Sequence, residues 1–209
     1  MKPSRPVVLG FVVVAVAMLG LFFDVVGMLS YLLVVLGILS GFVVAVVLGV
    51  RLALRRKVTA NPLLYPGTAI VAGAAGLFAG YLSGPGPVPP SSMPPSEQLA
   101  YMHRVDQSDR MTLRFLNTSR DDQRLARTRK LLQAGQVTSP EDQLNAAMVF
   151  QHGDDSSDYR TAYELASAAC STGVDTKVWP KELADWLRRA AYDRWMLSIG
   201  QEQKHGTQE

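Results

Sequence analysis

Three uncharged apolar runs occupy most of the first 83 residues and limit the fold more than any other feature of the chain. They cover approximately residues 7–23, 26–50 and 67–83. A helix needs about 20 apolar residues to cross a bilayer core, so we expect three transmembrane helices, of which the third is the shortest. None of the runs contains Asp, Glu, Lys, Arg or His, which argues against an ion or proton pathway and hence against a transporter.

Basic residues flank these runs and predict an orientation. Lys2 and Arg5 precede the first run, Asp24 marks the turn after it, and a basic cluster at Arg51–Lys57 follows the second. Positively charged flanks stay in the cytoplasm, so the N-terminus is expected to be cytoplasmic. If the third run spans, everything after Gly84 lies outside; if it does not, that part is cytoplasmic.

The same flanks account for the sequence pI of about 9.1. They hold six of the 21 basic residues, and the rest of the chain has 15 basic against 17 acidic residues. Membrane orientation therefore explains the basic excess, which gives no reason to expect nucleic acid. Membrane lipids are expected as partners through the three apolar runs. A single cysteine, Cys170, excludes an internal disulfide.

Glycines four residues apart recur in the second and third runs, as Gly37 with Gly41 and Gly76 with Gly80. Small residues at this spacing allow helix backbones to approach closely. They predict helix packing, including a possible homo-oligomer, although glycine is also simply common in membrane helices.

A linker separates the apolar part from a domain of ordinary soluble composition. Residues 84–95, GPGPVPPSSMPP, include six prolines and two glycines. Such a segment excludes helix and predicts an extended, semi-rigid spacer, or less simply a ligand for a partner domain. The soluble domain then covers 96–209.

Capping residues predict that this domain is all-α. Ser139, followed by proline and two acids, is typical of a helix start, and Gly153 ends that helix. Ser156 or Ser157 is expected to cap the next helix, which Gly173 ends.

Three further features complete the predicted helices. The first helix of the domain is expected to bend near 107–109, and Thr118 or Ser119 to cap the helix that follows. The last long helix begins near Trp179 with apolar residues along one side. These are Leu183, Trp186, Leu187, Ala190 and Leu197.

Small residues recur between the two central helices. Their pattern is Ala147-x-x-Phe150-x-x-Gly153, Asp158, Ala162, then Ala168-Ala169-x-x-x-Gly173. This pattern resembles about one Sel1-type repeat, a relative of the tetratricopeptide repeat. The resemblance implies two antiparallel helices packed closely through alanine and glycine.

Other polar motifs carry a second resemblance. The chain contains Phe150–Asp154 with the letters FQHGD, Asp193-Arg194, a glutamine-rich tail at 199–208, and Asp106–Arg110. Together they are similar to an uncharacterised group of bacterial helical domains. That resemblance implies the fold and supplies no mechanism.

Asp193 is the most informative polar residue, since it falls among the apolar positions of the last helix. A carboxylate in such a place is costly unless it is paired. Candidate partners are His152, Arg110 and Arg194, and the tail could fold back over the turn at 151–154. The pairing could be structural or could form part of a ligand site.

His152, at the end of a helix, is similarly open to a capping role or a role as a base. We expect no catalytic residue or cofactor, since no motif pairs a nucleophile with a base. We also expect no metal, since the three histidines lack ligand spacing. The binding candidates are polar residues of the turn, the last helix, the tail and the first helix of the domain. They are Gln151, His152, Asp154, Asp193, Arg194, Gln203, Gln208, Asp106 and Arg110.

The sequence therefore predicts a membrane-anchored, repeat-like helical domain that binds a protein or peptide, or acts as a scaffold. The expected location is a bacterial inner membrane, multi-pass, with the C-terminal domain extracytoplasmic. One alternative is a cell-envelope hydrolase that uses His152 and Asp193. Another is that the membrane helices themselves organise other membrane proteins.

Overall fold

The computed structural model describes residues 5–22, 25–54 and 64–208. Within these ranges the chain forms eight α-helices, one 3₁₀ helix and no strand, which confirms the all-α prediction. The α-helices are α1 (Arg5–Phe22), α2 (Val25–Ala53), α3 (Leu64–Leu82), α4 (Pro95–Arg110), α5 (Thr118–Gln133), α6 (Pro140–Gln151), α7 (Ser156–Ser171) and α8 (Lys181–Ser198). The 3₁₀ helix is Leu113–Leu116.

The described residues form two compact units. The first contains the chain up to Pro85 together with Ser108–Arg114, and the second contains Gly86–Gln107 and the chain from Phe115 onward.

In the first unit α2 and α3 pack antiparallel through glycine. A Cβ atom on Gly37 would lie 2.6 Å from the Ile70 side chain, and one on Gly73 would lie 2.5 Å from the Ser30 carbonyl oxygen. Gly76 also faces Ser30. These glycines therefore serve close packing within the chain, and the homo-oligomer stays a prediction.

The helix α1 runs parallel to α3 on another side of it. Leu9 and Gly10 lie beside Leu64 and Gly67, while Val16 lies beside the glycine at position 76. The three helices thus alternate in direction along the chain, as a bundle with short connections requires.

Two of these helices are long and apolar enough to cross a bilayer, over Leu29–Ala53 and Leu64–Leu82. The described apolar stretch of α1, Val8–Leu19, is shorter, so a first span stays a prediction. The predicted orientation depends on residues outside the described ranges: Lys2, Asp24, Arg55, Arg56 and Lys57.

The proline-rich segment packs against α4 instead of standing free. The Tyr101 hydroxyl donates to the Gly86 carbonyl oxygen at 2.9 Å, and the Gln98 amide donates to Met93 O at 2.6 Å. Val88 contacts the core of the second unit. From Gly86 onward the predicted spacer is therefore part of the second unit, which is called the helical unit below.

The helix α6 lies at the centre of the second unit. It packs against α5, α7 and α8, and every residue from 144 to 151 is buried. A helix buried on all sides shows no amphipathic stripe, and its neighbours complete the core around it. Leu99 and Met102 of α4 join Phe150 in one cluster, and Trp179 joins Leu144 in another.

Two predicted helix ends are confirmed. Ser139 caps α6 in a capping box, since its hydroxyl accepts from Asp142 N at 3.0 Å and Asp142 Oδ2 accepts from Ser139 N at 3.2 Å. Gly173 follows α7 with a φ of +73°, a conformation that glycine adopts without strain.

Other predicted ends were wrong. The helix α4 continues through 107–109 to Arg110. The N-cap of α5 is Asn117, whose side chain accepts no capping bond from the backbone, and the N-cap of α7 is Asp155, not Ser156 or Ser157. Asp155 prevails because its carboxylate accepts two backbone N–H groups, from positions 157 and 158.

The predicted apolar face of α8 was also wrong in part. Leu183, Trp186 and Leu197 are exposed. Leu187 and Ala190 are buried as predicted, and they are joined by Ala184, Ala191 and Asp193. Alanines on α7 face this helix, so close approach selects small residues over large ones.

Candidate functional site

The turn that follows α6 is held by two neighbouring helices. The His152 ring nitrogen Nδ1 lies 2.9 Å from Asp106 Oδ2 on α4. The Gln151 carbonyl oxygen accepts from Arg194 Nη1 of α8 at 2.5 Å. Four residues that the sequence singled out therefore meet at the end of α6.

Gly153 completes the turn for a steric reason. A Cβ atom there would lie 2.5 Å from the Cβ of Asp158. Asp158 is itself buried and accepts from Arg129 Nη2 at 2.5 Å. No other residue fits without displacing this ion pair.

A chain of buried charges continues behind the turn. Asp106 and Arg124 are 1% and 0% exposed, and Arg124 Nη2 lies 3.5 Å from Asp106 Oδ1. Arg124 also pairs with Asp121. A buried charge is stable only when it is paired, and Asp106 is paired with both Arg124 and His152.

Asp193 is enclosed by the C-terminal tail. Its carboxylate accepts from the backbone N–H groups of Lys204, His205 and Thr207 at 2.9–3.1 Å, and from the Thr207 hydroxyl at 2.8 Å. Burial acts to raise the pKa of Asp193, but the hydrogen bonds from Thr207, His205 and Lys204 outweigh it and lower the pKa to about 2. Hydrogen bonds to the ionised form have this effect.

The tail is further closed by two glutamines. Gln203 Nε2 donates to Gln208 O at 2.7 Å, and Gln208 N donates to Gln203 Oε1 at 3.0 Å. Arg194 Nε donates to Gln208 Oε1 at 3.2 Å. Since Arg194 also holds the turn at Gln151, the tail, α8 and the turn form one hydrogen-bonded network.

The structure treats the remaining candidates differently. Asp154 is exposed, and Arg110 lies at the end of α4 within the first unit. Asp193 takes tail amides as its partners, whereas the sequence suggested His152, Arg110 or Arg194.

A separate cleft, which the sequence did not indicate, lies between α4, α6 and the loop before α8. Its volume is about 350 Å³. The lining residues come from one face of α4, one face of α6 and the loop. They are Ala100, His103, Arg104, Gln107, Glu141, Asn145 and Val178.

The His103 ring lines this cleft, and the buried Trp179 lies behind it. The His103 ring stacks on Trp179 with centroids 4.8 Å apart and an interplanar angle of 22°. Trp179 Nε1 donates to Asn145 Oδ1 at 2.9 Å. Burial lowers the pKa of His103, so the ring is neutral at pH 7 and can both donate and accept a hydrogen bond.

One signal in the sequence could have revealed the cleft. Positions 100, 103, 104 and 107 of α4 have the spacing of a single helix face. One of these residues is apolar and three are polar, so they do not form the apolar face of a helix that packs on a core. The opposite wall could not be foreseen, because Val178 lies in a loop whose path depends on burial of Trp179.

Among the described residues, no three His, Cys, Asp or Glu side chains are grouped to hold a metal ion. Comparison with known proteins finds no family model, no curated protein and no solved structure that matches the chain. The Sel1-type resemblance and the likeness to bacterial helical domains therefore stay predictions.

Proposed function

We propose that this protein is a membrane-anchored module whose helical unit binds a segment of a partner protein in the cleft between α4 and α6. The observation that carries the proposal is the cleft itself. It is open, the His103 ring on its wall is backed by the buried Trp179, and its rim carries one charge of each sign. Clefts that combine apolar walls with a few placed polar groups are the usual form of binding sites.

The lining favours a peptide over a strongly charged ligand. Arg104 and Glu141 bring one charge of each sign, so no net field selects an anion or a cation. Gln107 and the neutral His103 offer donors and acceptors that suit peptide amides. The His103 ring and the exposed Val178 supply surface on which an apolar side chain can pack.

The anchoring part of the proposal rests on the helices of the first unit. Lengths and compositions of α2 and α3 suit spans, and the alternating directions of α1, α2 and α3 suit a three-span arrangement. With the basic cluster after α2 in the cytoplasm, the helical unit is placed outside a bacterial inner membrane. The binding unit would then act as a Sel1-like or tetratricopeptide-like scaffold at that surface.

The hydrolase alternative gains no support from the described residues. Its two residues take different partners, since His152 pairs with Asp106 and Asp193 is enclosed by the tail. Two groups that act together as acid and base must both reach one substrate.

Peptide display against the full chain in lipid nanodiscs tests the binding function. Peptides selected on the wild-type chain should lose binding to Gln107→Trp, which fills the cleft, and to Arg104→Glu, which makes its rim acidic. Gln133→Trp and Arg189→Glu are matched controls at exposed positions outside the cleft, and they should bind normally. Selected peptides that bind all four variants equally would refute a site in this cleft.

Topology needs its own test. In a Cys170→Ala background, a single cysteine at position 133 should react with a membrane-impermeant maleimide on intact cells. Labelling only after cell lysis would place the helical unit in the cytoplasm and overturn the proposed orientation.

A further inference from the structure

One arginine of the first unit is tied to the C-terminal end of α3. Arg114 Nη1 donates to the carbonyl oxygens of Gly80 and Ser83, each at 2.6 Å. Gly80 lies in the last turn of α3 and Ser83 directly follows it, a region where carbonyl groups have no intrahelical donor. Arg114 is 3% exposed, so the guanidinium is a built-in helix cap.

The same guanidinium organises its own segment. Arg114 Nε donates to Asp109 Oδ1 at 2.7 Å, and Nη2 donates to Ser108 Oγ at 2.6 Å. The turn begins with a bond from Met111 N to Ser108 O at 3.2 Å. Residues 108–114 are thus folded around one side chain.

Gly84 makes room for this arrangement. Its φ is +147°, which residues with a side chain rarely adopt, and a Cβ atom there would lie 2.7 Å from Arg114 Nη1. Glycine is required at this position on both counts.

The length of α3 places this cap relative to a bilayer. Its 19 residues at about 1.5 Å each span about 28 Å, close to the thickness of the hydrocarbon core of about 30 Å. With α3 spanning as proposed, its end at Leu82 would meet the edge of the hydrocarbon, and the carbonyl group of Ser83 would lie at the start of the headgroup layer. Whatever is bonded to Ser83 O lies there as well.

From this geometry we infer that residues 108–114 form a membrane-interface segment that seats in the headgroup layer and contacts phospholipid. The inference rests on the proposed anchoring by α2 and α3. Met111, 43% exposed, is the apolar side chain that the segment offers, and Tyr81 and Leu82 are exposed at the same end of α3. Tyrosine is enriched at this layer, and an exposed apolar side chain can be buried at its boundary with the hydrocarbon.

Fluorescence quenching by spin-labelled lipids tests the inference on the full chain. A Cys170→Ala background carries one bimane-labelled cysteine, at Met111 or, as a reference, at Leu39 in the middle of α2. Nanodiscs of phosphatidylcholine contain nitroxide either on the headgroup or near the end of the acyl chain. The label at 39 should be quenched more by the chain-end nitroxide, and the label at 111 more by the headgroup nitroxide.

The two labels separate failure of this inference from failure of the anchoring. If the label at 39 is quenched by neither lipid, α2 does not span and the anchoring is refuted. If it is quenched as expected but the label at 111 is quenched by neither, the interface segment is refuted while the anchoring stands. Arg114→Gln should reduce quenching at 111 without changing it at 39, and unchanged quenching at both would refute the role of the cap.

Discussion

Asp193 offers the sharpest test of how the helical unit is held together. Replacing Asp193 by Asn keeps the shape of the side chain but turns one acceptor oxygen into a donor. If the amide nitrogen takes the place of Oδ1, the bonds from Lys204 and His205 to that atom are lost. If it takes the place of Oδ2, the two bonds from Thr207 are lost. We expect the tail to detach from α8 and the unit to lose stability at neutral pH.

The magnitude follows from the pKa. The folded value of about 2 lies below the reference of 3.8, a gap that corresponds to about 2.5 kcal/mol in full. Water around the exposed parts of the tail reduces this, so we expect Asp193→Asn to cost about 1–2 kcal/mol at pH 7.

The pH dependence has a definite sign. Since the folded pKa is depressed, the stabilisation by Asp193 is fully present above pH 4 and is lost as the pH falls toward 2. The difference in unfolding free energy between wild type and Asp193→Asn should therefore shrink over that window.

Tryptophan fluorescence is a suitable readout, because all three tryptophans, at 179, 186 and 195, lie in the helical unit. Urea unfolding of the full chain in mild detergent gives the free energies at pH 7, 4 and 2.5. Asp154→Asn is the matched control, since that carboxylate is exposed, and it should change stability little. An equal effect of the two variants at pH 7, or a difference for Asp193→Asn that persists unchanged at pH 2.5, would refute the reasoning.

Three further substitutions test other parts of the fold. Gly84→Ala should lower the unfolding free energy of the full chain, measured by thermal denaturation, by about 1–3 kcal/mol. Gly86→Ala is the control, since a Cβ atom there makes only an ordinary contact, and it should have little effect. Equal effects of the two variants would contradict the steric argument. Asp155→Ala should destabilise the helical unit by about 1 kcal/mol in urea, and Ser156→Ala by much less, which distinguishes the observed cap from the expected one. Trp179→Phe should cost about 1–3 kcal/mol by circular dichroism, because it removes the buried indole donor, and a neutral result would show that the bond to α6 is unimportant.

Local sequence rules predicted helix ends correctly where the residues that form the cap or the turn are close in sequence. Ser139 caps α6 because its partner is three residues away, and Gly173 follows α7 because that turn needs a positive φ. Both can be recognised from four or five neighbouring letters. The same rules misjudged α7, where an aspartate one residue earlier competes with Ser156 for the same N–H groups.

Tertiary packing decided what the local rules missed. The large apolar residues Leu183 and Trp186 were expected on the buried face of α8 but are exposed, while Ala184 packs beside Leu187 against the alanines of α7. Burial of Trp179 and the bond from Arg114 to α3 join residues more than 30 positions apart. No periodicity in the sequence reports such contacts.

Asp193 and the cleft near His103 also show why a polar residue at an unexpected position does not by itself indicate a binding site. The two oxygens of Asp193 receive donors from three tail residues, and a carboxylate offers about four lone-pair sites. Its capacity is therefore used within the chain, and a ligand could bind only by displacing the tail. The α4–α6 cleft has the opposite character, because open volume beside His103 and Glu141 lets a ligand add contacts without breaking any. The distinction depends on how fully a polar group is already bonded, which the sequence does not report and which led the sequence argument to prefer Asp193 over His103.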